Sequence, residues 1–374
     1  MLQGYELLEV LGPTGGSRLC RARRLNDQQP ILLKILDDAT PEQVARFQRE
    51  DELLEGLHVP GVVRPIALAS GERGPVMVLE DHEGERLETA LAEALTLPHA
   101  LRLAGQLTHV LAGLHEAQII HCDLRPANLV VDAERARLLV VDLSRACARV
   151  AGALDSDRGE AAPGGDLAYV SPEQTGRVRS PVDRRSDLYS LGVVLYQLFS
   201  GVLPFRASDP LEWVHAHVAR APVPLAQARP GVPAMISDVV MKLLCKAPDE
   251  RYQSARGLEV DIERCLLELE ARGNIAVFVP GAHDFADRFQ VPKKLYGRER
   301  ELAALHEAYE RAARGEAQLV LVAGYSGIGK SALVHELQRP IVKGGGSFIS
   351  GKFDERGHDI PYAALAQAFR MLVQ

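Results

Sequence analysis

The 374-residue sequence is poor in cysteine, poor in lysine and free of any long apolar run, and each shortage closes off a class of protein. Five cysteines, Cys20, Cys122, Cys147, Cys245 and Cys265, stand far apart, odd in number and never as C-x-x-C. That spacing predicts neither a disulfide framework nor a zinc site, and the thiols read as reduced and cytoplasmic. The longest apolar stretch, around Leu191 to Phe199, is far short of a bilayer, so no membrane partner is expected. The opening residues MLQGYELLEV lack a charged segment followed by an apolar one, so no leader is expected either. Basic charge is also lacking: the formal net charge is -7, which supplies no field for a phosphate backbone and disfavours nucleic acid as a partner. Neither an internal repeat nor a low-complexity tract is present.

What is there is the composition of a packed protein. Hydrophobic residues make up 47% and charged residues 25%, enough to build cores and too apolar for a disordered polyelectrolyte. The length exceeds one ordinary core and predicts two domains, or one large domain and a partial one. Only eight of the 43 basic residues are lysine, so a lysine where chemistry needs a compact point charge carries more information than usual.

Along the chain, Tyr5 to Leu36 alternates short β-rich runs with Gly and Asn-Asp turns, the pattern of an antiparallel meander. From Thr40 the run TPEQVARFQREDELLEGL has a capping residue, a proline and helical apolar spacing. Strand character returns over Gly61 to Ala69 and Pro75 to Glu80, and helical periodicity dominates from Arg86 to Ala117 and from Asp187 to Glu270. Residues 149 to 165 are small, polar and rich in Gly and Pro, hence a long loop. Residues 273 to 295 carry helix breakers beside apolar side chains and read as a linker that packs. A helix over 298 to 314, an apolar strand QLVLVAGY, a Gly-rich turn, a second helix and a strand SFISGKF follow.

Two constellations carry chemistry. The first is HCDLRPANL at His121 to Leu129 with VVDLS at Val140 to Ser144. Around it, in order, stand Lys34 ending ILLK, Glu50 ending RFQRE, SPE at Ser171 to Glu173, DLYSLG from Asp187, and Arg251 in KAPDERY. Together they resemble the protein kinase signature set over residues 4 to about 270, and the chain is similar to bacterial Ser/Thr-type protein kinases. The resemblance implies an α+β two-lobed protein kinase fold: a small antiparallel β lobe with its αC helix at about 4 to 80, and a larger helical lobe at about 81 to 270. It also implies ATP and Mg²⁺ as cofactors and the Ser/Thr hydroxyls of protein substrates as acceptors.

Phosphoryl transfer is mostly positioning and charge neutralisation, and the resemblance gives each residue a part in it. Lys34 would hold the α/β-phosphates and pair with Glu50; Asp123 would orient the acceptor hydroxyl, with Arg125 near the γ-phosphate. Asn128 and Asp142 would ligate Mg²⁺ through oxygen. Leu79 would be the gatekeeper, Glu80 would lie at the adenine-binding hinge, and Gly12 would open the Gly-rich loop. Glu173 and Arg251 would form a structural ion pair, and Asp187 would anchor the catalytic loop.

Departures from the pattern are equally specific. Of the Gly-rich loop's three glycines only Gly12 matches, with Thr14 and Ser17 at the others, although Gly15 and Gly16 lie between. Cys122 replaces the arginine that commonly pairs with an activation-loop phosphate, which predicts a kinase independent of that phosphorylation. Ser144 replaces the glycine of D-F-G. Asp166 replaces the usual threonine after Gly165, and a charge-assisted contact between Asp166 and Arg125 is expected to compensate. Two readings stay open: an active Ser/Thr kinase, or a pseudokinase that binds nucleotide as a regulatory scaffold.

The second constellation is Gly324, Gly329, Lys330 and Ser331 in GYSGIGKS, which fits G-x-x-x-x-G-K-S/T between a predicted strand and a predicted helix. Backbone N–H groups there would cradle phosphates, Lys330 would reach the β/γ-phosphates and Ser331 would ligate Mg²⁺. With LYGRERELAAL before it, residues 296 to 374 resemble the incomplete start of the AAA-type, STAND-like ATPase module found behind the kinase of large bacterial signalling proteins. The region 271 to 295 is then a linker. Downstream signalling modules or a histidine kinase are the partners this implies, and the segment is either truncated or a relic packed on the kinase.

Overall fold

The computed structural model describes residues 4–36, 40–71, 74–81, 84–92, 95–132, 137–148, 166–178, 180–284, 298–325, 328–337, 340–341, 346 and 348–349. The loop expected at 149 to 165 and most of the strand expected over SFISGKF lie outside them. Five antiparallel strands form the first layer: β1 (Tyr5–Thr14), β2 (Ser17–Arg24), β3 (Pro30–Leu36), β4 (Pro65–Gly71) and β5 (Gly74–Glu80), in the order β1-β2-β3-β5-β4. Alternation along β3 and β5 splits their side chains between two buried clusters. Ile31, Leu33, Val76 and Val78 join Cys20 and Ala22 on one face, whereas Leu32, Leu36, Met77 and Leu79 enter the main core on the other. The same alternation puts Lys34 on the main-core side, 1% exposed, where an ammonium must find a carboxylate.

Helix α1 (Pro41–Glu55) starts as its sequence predicts, with Thr40 Oγ1 accepting from Gln43 N and Pro41 in the first turn. Its buried residues Phe47, Glu50, Asp51 and Leu54 recur at three- and four-residue steps, so one stripe faces the sheet and carries Glu50 with it. The strand expected from Gly61 begins only at Pro65. Val62 and Val63 instead attach to Val140, by an isolated bridge and a Val63 N to Val140 O bond, tying the small lobe to the large one.

The large lobe begins with β6 (Glu85–Arg86), α2 (Leu87–Ala90), α3 (Leu97–Glu116) and β7 (Ile119–Ile120). Then come β8 (Leu129–Asp132), β9 (Arg137–Val140) and β10 (Cys147–Ala148), which pair as β6-β8-β9 and β10-β7. Its helices are α4 (Arg184–Ser200), α5 (Pro210–Val218), α6 (Leu225–Ala228), α7 (Ala234–Leu243) and α8 (Ala255–Arg272). Helix α4 is buried on nearly every side; a Cβ at Gly192 would come within 2.7 Å of Leu243 Cβ, so the glycine lets α4 and α7 close on each other. Beyond α8, residues 275 to 284 stay packed. Ile275 is buried, Phe278 lies under the Arg264 guanidinium at 4.3 Å, and Asp284 Oδ1 accepts from Ser254 N and Oγ at the start of α8.

A second unit holds α9 (Glu299–Ala313) and α10 (Lys330–His335), and Tyr309 OH of α9 donates to Pro340 O, beyond the end of α10. The strand predicted over QLVLVAGY is not formed: Leu319 and Leu321 are 97% and 90% exposed. A single strand has no ladder of its own, and among the described residues nothing pairs with this run. Among the described residues no helix is long and apolar enough to cross a membrane.

The deepest ion pair of the large lobe joins Arg251 to Glu173, Nη1 to Oε1 at 2.7 Å and Nη2 to Oε2 at 3.0 Å. Arg251 also donates to the carbonyls of Cys245, Lys246 and Arg185, so its buried donors are satisfied. Arg251→Met, which strands Glu173, is expected to lower unfolding free energy by ~3–5 kcal/mol in urea titration.

Candidate active site

Three buried charges meet between the lobes. Lys34 Nζ donates to Glu50 Oε1 at 2.6 Å, to Glu50 Oε2 at 2.7 Å and to Asp142 Oδ1 at 2.7 Å. Glu50 Oε1 also accepts from Leu143 N at 2.8 Å, and Asp142 Oδ1 from Ser144 N at 3.0 Å. Strand β3, helix α1 and the segment after β9 are thereby pinned to one ammonium. One cation faces two carboxylates at full burial, so the two acids diverge. Burial, which outweighs Lys34 and is reinforced by Asp142, pushes Glu50 up to about 7. Burial works the same way on Asp142, but Lys34 and the Ser144 N–H hold it well below the usual carboxylate range. Burial opposes the Lys34 ammonium, yet Asp142 and Glu50 together keep its pKa above the ordinary value.

The catalytic-loop residues are fixed from behind. Asp187 accepts from His121 N at 2.8 Å, from Cys122 N at 2.9 Å and faces His115 Nε2 at 2.9 Å. Gln174 Nε2 donates to Cys122 O at 2.7 Å. Asn128 then turns back within the loop, its Nδ2 donating to Asp123 O at 2.8 Å and Asp123 Oδ2 at 3.2 Å. Burial raises the Asp123 carboxyl, partly offset by Arg125, whose Nε stands 3.5 Å from Asp123 Oδ2. The expected contact between Arg125 and Asp166 is not formed: Arg125 turns to Asp123, while Asp166 accepts from Ala168 N and caps a short helical turn. A side chain of Asp166's length is used up by its own backbone.

Two buried oxygens, one amide and one carboxylate, are left without a partner. Asn128 Oδ1 and Asp142 Oδ2 are buried without a hydrogen-bond partner, and amide and carboxylate oxygens are the donors that Mg²⁺ takes. Leu79 is fully buried on β5 opposite Leu32, and Glu80 lies at the end of that strand with its N–H on Arg64 O.

The turn between β1 and β2 folds down onto these groups. Thr14 Oγ1 and Ser17 Oγ, at the positions of the missing glycines, lie 2.9 Å apart and close the hairpin. Gly15, at φ +44°, passes so near that a Cβ would collide with Ser144 Oγ and stand 3.0 Å from Asp142 Oδ2. Gly12 O and Pro13 O accept from Arg86 Nη2 at 2.8 Å and Nη1 at 2.7 Å, so a buried guanidinium of the large lobe holds the loop from below. Nothing in the sequence marked Arg86, because arginine is this chain's ordinary cation. Of the second constellation, Gly329 caps α10 at φ +93°, Ser331 lies exposed in its first turn, and Lys330 Nζ donates to Gly324 O and Tyr325 O, both at 2.8 Å.

The protein kinase domain family model matches residues 5–261, which hold Lys34, Glu50, Asp123, Asn128 and Asp142 in the one cleft just described. The chain belongs to the protein kinase family. The AAA ATPase domain model matches residues 294–374. The kinase part is 34% identical over 269 residues to serine/threonine-protein kinase PknB of Mycobacterium tuberculosis, covering 70% of this chain and 42% of that protein. A probable serine/threonine-protein kinase of Clostridium perfringens is 31% identical over 267 residues, 70% of this chain and 38% of its own. Hybrid signal transduction histidine kinase G of Dictyostelium discoideum is 37% identical over 226 residues, 55% of this chain and 6% of its length. The chain thus spans under half the length of each of these relatives.

Two predictions follow from the site's geometry. Glu50 has a folded pKa of about 7, above its unfolded value, so its contribution to stability is full at acid pH and is lost as pH rises through about 7. The stability difference between the wild type and Glu50→Gln, measured by thermal melts from pH 5 to 9 (about two units either side), should shift against the wild type over that window. Arg86→Ala removes two charge-assisted bonds, and the amides of Gly12, Thr14, Gly15 and Gly16 should exchange at least about tenfold faster, with those of α4 unchanged.

Proposed function

We propose that this chain is an ATP-dependent kinase acting on Ser or Thr hydroxyls of proteins. The observation that carries the reading is the convergence of Lys34, Glu50, Asp142, Asp123 and Asn128 in one cleft, with two buried oxygens left over for a cation. Asn128 Oδ1 and Asp142 Oδ2 would hold Mg²⁺, which would supply neutralisation of phosphate charge. Lys34, released in part from Asp142, presents its ammonium to phosphate oxygens while Glu50 keeps it aimed. Asp123 accepts the acceptor hydroxyl's proton; its raised pKa suits a base that must also bind that proton in a buried site. Arg125, beside Asp123, places a guanidinium where negative charge builds during transfer.

A second reading, nucleotide binding with little transfer, is favoured by one feature: Gly15 lies against Asp142 and Ser144, on the oxygens that a metal needs. The loop has to lift before both can be used. Similarity to a hybrid histidine kinase, together with the ATPase match, supports a place in a larger cytoplasmic signalling protein. Gly324, Gly329, Lys330 and Ser331 are then a second phosphate site of a STAND-like module.

Transfer of labelled phosphate from Mg·ATP to a generic protein substrate separates the readings. The wild type should label it and Asp123→Asn should lose about 10²-fold or more. Equal labelling by the two proteins would sink the enzyme; a Mg·ATP thermal shift with no labelling would establish the scaffold.

A further inference from the structure

Two sulfurs meet beside the catalytic loop. Cys122 Sγ and Cys147 Sγ are 3.5 Å apart, and neither residue is fully buried. Cys122 immediately precedes Asp123 and holds φ +63°, a left-handed conformation unusual for a side chain of this kind. Its main chain is fixed at both polar groups, N–H on Asp187 and C=O on Gln174. Cys147 lies in β10, laid antiparallel on β7 with Cys147 opposite Ile120, five residues after Asp142. The contact therefore joins the two segments that supply Asp123 and Asp142, and neither thiol has a part in the phosphotransfer chemistry.

We propose that Cys122 and Cys147 are a redox modification site, at which a hydroperoxide forms a reversible disulfide that ties the catalytic loop to β10 and slows phosphotransfer. The disulfide belongs to the sulfurs alone and is read by the peptide map, whereas its effect on phosphotransfer rests on the kinase reading and is read by labelling. Cys122 is a poor first nucleophile: its contact with Cys147, its burial and Asp187 all raise its pKa well above the ordinary thiol value. Oxidation that starts at Cys147 and oxidation that starts at Cys122 give the same disulfide. In the first order the Cys147 thiolate attacks the peroxide, breaks the O–O bond and becomes a sulfenic acid, while the departing hydroxide or alkoxide takes up the thiol proton. Cys122 Sγ then attacks Cys147 Sγ; the S–O bond breaks, the S–S bond forms, and the Cys122 proton leaves with the hydroxyl as water. Two electrons pass from the thiol pair to one peroxide. A small dithiol reverses the reaction by exchange.

A disulfide has an S–S length of about 2.05 Å, so the sulfurs must close by about 1.5 Å. The polar groups that fix the Cys122 backbone resist that movement, and the strain passes to its chain neighbour Asp123, itself tied to Asn128. An intracellular disulfide in such a place is expected to be transient and sensing rather than structural.

The test uses the full chain treated with hydrogen peroxide, alkylated, digested and mapped by mass spectrometry, alongside Cys147→Ser and Cys147→Ala, both checked by thermal melt. The expected product is a peptide pair linking Cys122 to Cys147, about 2 Da lighter than the sum of the two reduced peptides and lost with dithiothreitol. Labelling by the wild type should drop on oxidation and recover on reduction, while the Cys147 variants keep their rate through the same treatment. Separate sulfinic acids at the two positions, or linkage of Cys122 to another cysteine, would overturn the site. A linked pair with an unchanged labelling rate would overturn its regulatory role.

Discussion

The Lys34 ammonium is the constraint on which the site is built. It stands on the inner face of a buried strand, 1% exposed. It is tolerated there only because α1 delivers Glu50 and the segment after β9 delivers Asp142 to within 2.7 Å. Those three elements come from both lobes, so satisfying one charge also sets the distance between them. The cost is a surplus carboxylate, which appears as the upward shift of Glu50 and the downward shift of Asp142. Under the proposed kinase activity, a site that accepts phosphates and a divalent cation gains from holding such an imbalance ready.

A second set of buried charges does comparable work further back. Asp187 grips the backbone of His121 and Cys122, Gln174 grips the Cys122 carbonyl, and Arg251 holds Glu173, the residue next to Gln174. Ion pairs of this kind add little to net stability against an apolar core. What they supply is position: Asp123 sits on a loop with few backbone bonds of its own, and its place is determined by groups that never meet a substrate. Arg86 acts in the same manner on the hairpin above the cleft, by holding the carbonyls of Gly12 and Pro13 near the end of β1.

Much of this was legible in the chain. The meander, α1 and the helical lobe follow from period-two and period-3.6 patterns, and the residues gathered in the cleft stand in ordered motifs. The failures share a cause. Val62 and Val63 read as strand because they are β-branched, but they were taken by Val140, a partner about eighty residues away. QLVLVAG reads as strand equally well and finds no neighbour among the described residues. The contact of Arg125 with Asp166 failed because the Asp166 side chain was captured by its own backbone and Arg125 had a nearer carboxylate in Asp123. Each error concerns which of several available partners a group takes, and a single sequence ranks local partners far better than distant ones.

The sequence by itself determined the family, the order of the lobes and the identities of the residues in the cleft, because those rest on residue type, spacing and periodicity. Only the tertiary structure decided that Gly15 lies on Asp142, that Arg86 holds the loop, and that Cys122 and Cys147 bring their sulfurs to 3.5 Å. None of these carries a local signal, since each depends on two segments meeting across a cleft. Chain direction and pattern fix what a residue is able to do, and packing fixes what it is next to.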